Sequence, residues 1–235
     1  MVILAVAWFV DTAMAANSER KLSNLVEAQA HLEYAPEVYI GGMPFLGNLY
    51  TGVVPEVRVA AADVEVSPFG LLGIQTSLVD VEATSEQLLN GDFSGSKAAL
   101  VTRGVTFDPV ALGRQLHMPD LDIAHPYDIS PAGSSASEVI LTGTLRDETT
   151  PVTVFAELRL KGPLFQLTPT VVLDRGESHA SEEKILESFA WQIDTRQLPL
   201  PKQASYVSGD SGTIYFESQE VNVTVDITDL TPISD

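Results

Sequence analysis

The sequence predicts an α+β fold, with a long helix near the N-terminus, a strongly curved antiparallel β-sheet and two further short helices. Three observations lead there. Residues 13–32 hold no Gly or Pro and repeat apolar side chains at helical spacing. Most of the remaining chain alternates apolar and polar residues, the period of half-buried strands. Inside the apolar run 57–66 the phase of that alternation changes, and a phase change marks a β-bulge, which bends a strand.

The elements follow in chain order. Met1–Val10 reads MVILAVAWFV. It is shorter than the roughly 20 residues needed to span a bilayer. It has the length of a signal-peptide core, and Ala13-Met14-Ala15 follows as a small-x-small site. We read residues 1–11 as an export or anchor remnant; a buried strand is the alternative. Asp11 or Thr12 reads as the N-cap of the next helix, whose apolar stripe is Leu22, Leu25, Val26, Gln29 and Leu32. Pro36 closes it. Strands are expected near 37–41, 57–66 (bulged near Ala60 to Ala62), 74–83, 97–107, 137–146, 152–160, 164–173, 204–208, 213–217 and 221–228. Asp108-Pro109 opens a short helix to about Leu116, and Ser181 caps another from Glu182 to about Arg196. Residues 12–235 read as a single domain, with a turn-rich hinge at Gly133-Ser134-Ser135 where two pseudo-halves meet near 130–137.

Composition narrows the function. The 235 residues carry 13 Lys+Arg against 32 Asp+Glu, a net charge of −19, with 45% hydrophobic and 19% charged residues. Nucleic-acid binding needs clustered Lys and Arg, so no nucleic-acid partner is expected. The high apolar fraction argues against a disordered acidic chain. With no Cys there is no disulfide framework or thiol nucleophile, in line with, though not proof of, a place outside the cytoplasm.

The motifs that carry catalysis elsewhere read as local structure here. Gly209-Asp210-Ser211-Gly212 copies a serine-protease signature, but its residues suit a hairpin turn and no matching base segment is present. Ser181-Glu-Glu-Lys184 and Ser94-Gly-Ser-Lys97 fit S-x-x-K without the partner motifs; Ser181 reads as a helix cap and Ser94 as a loop residue. Asp63, Glu65, Asp80 and Glu82 alternate with apolar residues, the pattern of a solvated sheet face rather than of a metal or acid/base set. No catalytic residue, metal site or cofactor is expected.

Two segments concentrate apolar residues between glycines. They are Ile40-Gly-Gly-Met-Pro-Phe-Leu-Gly-Asn-Leu-Tyr-Thr-Gly52 and Pro68-Phe-Gly-Leu-Leu-Gly73. Apolar loops cap a core or meet an apolar ligand or membrane. The run Pro36-Glu-Val-Tyr-Ile-Gly-Gly-Met-Pro-Phe-Leu-Gly-Asn-Leu-Tyr-Thr-Gly52, followed by Pro55-Glu-Val-Arg-Val, resembles the signature of the LmeA-like phospholipid-binding proteins of actinobacteria. Met43 stands where that signature has Phe. The likeness continues at Gly104-Val-Thr-Phe-Asp-Pro-Val-Ala-Leu112 and at Leu198-Pro-Leu-Pro201, covering roughly residues 12–227.

The resemblance implies a fold similar to tubular lipid-binding domains, with the long helix lying in a strongly curved sheet. It implies an exported, envelope-associated protein that binds phospholipid, phosphatidylinositol included, with a link to mannan and lipoglycan maturation. It supplies no catalytic residue. A concave apolar groove holds acyl chains through buried CH₂ groups, each worth about 0.8 kcal/mol. The expected lipid-binding residues are Met43, Phe45, Leu46, Leu49, Tyr50, Phe69, Leu71, Leu72, Phe189 and Trp191. Arg58, Arg103 and Arg114 are the candidates for a headgroup phosphate. The expected partners are phospholipid and a membrane surface, met transiently or through an N-terminal anchor. Envelope glycosyltransferases are further candidate partners if the protein acts as a scaffold. An enzyme acting on envelope lipid or glycan through Asp63 or Asp80 is the other alternative.

Overall fold

Alternation of buried and exposed residues dominates the computed structural model, which describes residues 2–126 and 135–232, without the side chains of 2–5 and 7. The protein is α+β, with a long N-terminal helix and a strongly curved antiparallel sheet. The elements run α1 (Val2–Ala30), β1 (Glu37–Ile40), α2 (Phe45–Thr51), β2 (Val53–Val66), β3 (Gly70–Glu82), α3 (Ser85–Asn90), β4 (Lys97–Phe107) and α4 (Pro109–Leu116). They continue with β5 (Asp122–Ala124), β6 (Ala136–Thr144), β7 (Pro151–Lys161), β8 (Leu164–Asp174), α5 (Glu182–Phe189), β9 (Trp191–Asp194), β10 (Tyr206–Asp210) and β11 (Thr213–Thr224). One sheet has the order β1-β2-β3-β4-β11-β10, the other β5-β6-β7-β8-β9. The chain forms two compact units, and β2, β3, β4 and β11 each contribute residues to both. The hinge residues Gly133 and Ser134 lie outside the described residues.

The first unit holds residues up to Ala62, Ile74–Arg103 and those from Gln219 on. Its core joins Leu22 and Val26 of α1 to Val57, Val59, Leu78 and Val101 of β2, β3 and β4. The buried side of α1 is Asp11, Ser18, Leu22 and Val26, with Met14 and Ala15 partly buried. That spacing keeps one helical face on the sheet. Leu25 and Gln29, expected in the stripe, face solvent. Asp11 and Thr12 do not cap α1, because that helix runs unbroken through them.

Curvature has a visible backbone cause. In β2 the buried residues are Val54, Val57, Val59 and Ala61, then Val64; after the regular run 57–61 the phase slips at Ala62–Asp63, at the edge of the expected bulge. Asp63 there has φ +54°. In β3, burial runs Leu72, Ile74, Thr76, Leu78 and then Val81, and Asp80 has φ +50°. Asn222 of β11 has φ +53°. Asp and Asn enter the left-handed region more readily than other non-glycine residues, so these side chains mark where the strands bend.

The second unit holds Asp63–Gly73 and Gly104–Ser218. Its core is aromatic. Phe107 meets Phe69, Trp191 and Phe216 edge to face, and Phe165 meets Trp191 and Phe216 likewise, at centroid distances of 4.7–5.7 Å. The helix expected to reach Arg196 stops at Phe189; Trp191–Asp194 is instead strand β9, paired with β8. Ser181 caps α5 by accepting from the Lys184 N–H. Gly209-Asp-Ser-Gly212 closes the β10–β11 hairpin, with Asp210 opposite Thr213 and Ser211 and Gly212 at φ +51° and +77°, the two-residue turn the sequence suggests. The strand expected over 221–228 ends at Thr224, where a short 3-10 turn at Ile227–Asp229 follows. The helices α2 and α3 and the strand β5 are additions to the sequence reading.

Candidate functional site

Ile40–Gly52 is built as a turn and a helix rather than a loop. Gly41 donates its N–H to the Glu56 carbonyl at 2.7 Å. Gly42, at φ +103°, lies against the Asn48 carboxamide, where any Cβ would collide. Buried Asn48 donates from Nδ2 to the Gly41 carbonyl at 2.8 Å. Pro44 offers no side-chain cap to α2. The cap comes from far away: the Asp11 carboxylate accepts the Phe45 N–H at 3.0 Å and the Leu46 N–H at 2.8 Å. Gly52, in the left-handed conformation, ends the helix.

This helical phase sorts the predicted lipid residues. Phe45 points into the first unit's core and Leu49 is half-buried against it. Met43, Leu46 and Tyr50 point outward, with Met43 85% and Tyr50 93% exposed. One helical turn before Asp11, α1 exposes Trp8 (57%) and Phe9 (70%) as well. The sequence reading missed those two as surface residues because it assigned the segment to an export signal.

In the second unit, Pro68–Leu72 closes the turn between β2 and β3. Phe69 and Leu72 are core side chains, whereas Leu71 is exposed. The Gln115 side chain donates to the Phe69 carbonyl at 3.4 Å. Phe189 is fully buried and Trp191 is half-buried among the rings of the same core. Phe45, Phe69, Leu72 and Phe189 therefore present no surface in this conformation; each fills space that the fold itself needs filled.

The three arginines differ sharply. Arg58 is exposed and paired with Glu56, Nη2 to Oε1 at 2.5 Å. Arg114, exposed on α4, lies across Gly70, where a Cβ would sit 2.7 Å from Nη1. Arg103 is buried and spends its donors inside the first unit: Nε to Thr76 Oγ1 at 3.1 Å, Nη2 to the carbonyls of Asp229 at 2.5 Å and Thr231 at 2.8 Å. Burial lowers its pKa, against the opposing charges of Asp229 and Glu220.

The first unit also has a half-open depression of about 410 Å³ beside β3, β4 and β11, lined by apolar as well as polar residues. Asp80, Glu82, Lys97, Asn222 and Thr224 line it. Among the described residues no group of three or more His, Asp or Glu is placed to hold a metal ion.

A family profile described as LmeA-like phospholipid-binding matches residues 9–230. The chain belongs to the LmeA-like phospholipid-binding family. The match begins inside α1 and takes in Asp11, α2 and nearly all of both units. Searches of curated proteins and of solved structures returned no match. Membership in the LmeA-like family attaches phospholipid binding to this fold. The Ile-Gly-Gly-x-Pro-Phe-Leu run that carries the resemblance is the turn and first residues of α2.

Proposed function

We propose that the protein is a non-catalytic phospholipid-binding protein of the actinobacterial cell envelope. It carries or presents phospholipid, phosphatidylinositol included, in support of mannan or lipoglycan maturation. The family match over residues 9–230 carries this reading. The exposed apolar residues of α1 and α2 support it, because soluble proteins rarely leave such groups adjacent without an apolar partner. Arg58 in the first unit and Arg114 in the second, both exposed residues, are each a separate candidate cation for a headgroup phosphate. The export or anchor reading of residues 1–11 supports a position outside the cytoplasm.

Native mass spectrometry of the full chain, coupled to lipid extraction, tests the proposal. A phospholipid that co-purifies at fixed stoichiometry, or is taken up from phosphatidylinositol vesicles, is the expected result. A mass that stays lipid-free after such incubation would overturn it.

A further inference from the structure

The first turns of α1 and the N-terminus of α2 are neighbours, because Asp11 accepts from the Phe45 and Leu46 N–H groups, and both segments leave a surface of exposed apolar side chains. We propose that this surface docks the protein on a phospholipid bilayer, dipping Trp8, Phe9, Met43, Leu46 and Tyr50 into the interface of one leaflet, with Asp11 as the positioning residue. The proposal rests on the phospholipid-binding reading and names the membrane contact of that function.

Charge selects the occupant. In a chain with 19% charged residues and a net charge of −19, residues 38–55 carry no charged side chain at all. Residues 1–18 carry one, Asp11, and it is buried against the α2 N-terminus. A strongly acidic protein is repelled by anionic headgroups. It approaches a bilayer at least cost through segments without exposed carboxylates, and residues 6–18 and 38–55 expose none. The residue types agree. Trp and Tyr favour the headgroup boundary, where one end of the ring is apolar and the other wet, and Trp8 and Tyr50 are of that kind. Met43 and Phe9 supply purely apolar area.

The geometry explains why Asp11 matters. An isolated seven-residue helix does not hold together in water, so α2 depends on tertiary contacts and its cap. With Asp11 holding the Phe45 and Leu46 N–H groups, α2 keeps Leu46 and Tyr50 outward, next to the exposed Met43 that precedes the helix. Among the described residues no helix is long and apolar enough to cross a membrane; the proposed contact needs only one leaflet, as for interfacial helices.

The test uses the full chain with Trp191→Phe, which leaves Trp8 as the sole fluorophore of its type. Phosphatidylcholine vesicles with brominated acyl chains should quench Trp8. Met43→Ser with Tyr50→Ser should cut vesicle partitioning at least tenfold while leaving the urea midpoint unchanged, since both side chains are almost fully exposed. Val171→Ser with Leu173→Ser, exposed apolar residues of β8, should leave partitioning unchanged. Binding of monomeric dihexanoyl-phosphatidylcholine, followed in parallel, separates this proposal from the function it rests on. Short-chain lipid bound, with Trp8 unquenched and partitioning insensitive to the α2 substitutions, would overturn the docking face and leave lipid binding standing. No short-chain lipid bound, with Trp8 quenched, would keep the docking face and remove the carrier role. Loss of a concentration-dependent dimer in the α2 variant, with partitioning unchanged, would make the face an interface between copies and overturn the proposal.

Discussion

Arg103 donates a hydrogen bond from Nη2 to the carbonyl oxygen of Thr231 at 2.8 Å, pinning residues 128 positions apart. The same guanidinium holds Asp229 and Thr76. Charge-assisted bonds of this kind are worth about 1.5–3 kcal/mol each when a partner is removed. Arg103→Met should lower the unfolding free energy by about 2–4 kcal/mol and expose the segment after Thr224 to proteolysis. Arg103→Lys should recover only part, because an ammonium cannot reproduce the planar fork. Urea unfolding and limited proteolysis at pH 7 check both. A headgroup role would instead leave stability unchanged and reduce lipid uptake.

Gly209 approaches β6 so closely that a Cβ would sit 2.0 Å from Val139 Cγ1. Gly209→Ala should therefore cost about 1–3 kcal/mol through overpacking. Val139→Ala opens the same space, so the two changes should be less than additive, with a coupling of about 1 kcal/mol. A double-mutant cycle in urea measures it. Additive losses would mean that β10 moves away freely.

Acid and alkali should act on different residues. The Thr144 hydroxyl at 2.6 Å, with the Thr144 N–H, holds the Asp120 carboxyl below the usual range. Arg196 brings Asp194 down to about 2, and the Thr228 N–H and hydroxyl lower Asp226. A depressed carboxyl stabilises the fold above its unfolded pKa, near 3.9, and loses that effect as pH falls through the folded value. The melting temperature should thus fall between about pH 4 and 2, and less steeply in Asp120→Asn with Asp194→Asn. Tyr215 runs the other way. Burial, then the Glu217 carboxylate that its hydroxyl meets at 2.9 Å, raise its pKa above the ordinary value. Its contribution is complete below about pH 10 and lost above it. Tyr215→Phe should flatten the alkaline limb of the same melting curve.

Local signals were enough for most of the fold. Asp108-Pro109 and Ser181 announce α4 and α5, and both side chains do cap, accepting from Ala111 and Lys184. Alternation announces the long strands, and the GDSG turn announces its hairpin. Thr84-Ser-Glu-Gln87 is a capping box in plain view, reciprocal in the structure, and signals α3, which the sequence reading omitted. The end of α5 was not legible. Ile185, Phe189, Trp191 and Ile193 fit a broad helical arc, yet the last two belong to a strand facing the same core. At the site, the inward turn of Phe45 and the outward turn of Leu46 and Tyr50 depend on α2 being helical. Its cap lies 34 residues upstream, beyond any local pattern. The burial of Arg103 is likewise set by tertiary partners.

That distant cap yields the last prediction. Asp11→Ala leaves two main-chain N–H groups of α2 without their carboxylate acceptor. Losing an N-cap costs about 0.5–2 kcal/mol, and burial of Asp11 places this one toward the upper half. The effect should be local first. Amide exchange at Phe45 and Leu46 should speed up by more than tenfold, while Leu78 and Val101, deep in the first unit's core, keep their protection until global unfolding. Asp11→Asn retains a side-chain oxygen acceptor and should fall between, since an Asn side chain serves as an N-cap about as well as Asp in ordinary helices but lacks the charge that favours a helix N-terminus. Uniform acceleration across all four amides in Asp11→Ala would mean that the carboxylate supports the whole unit rather than α2 alone.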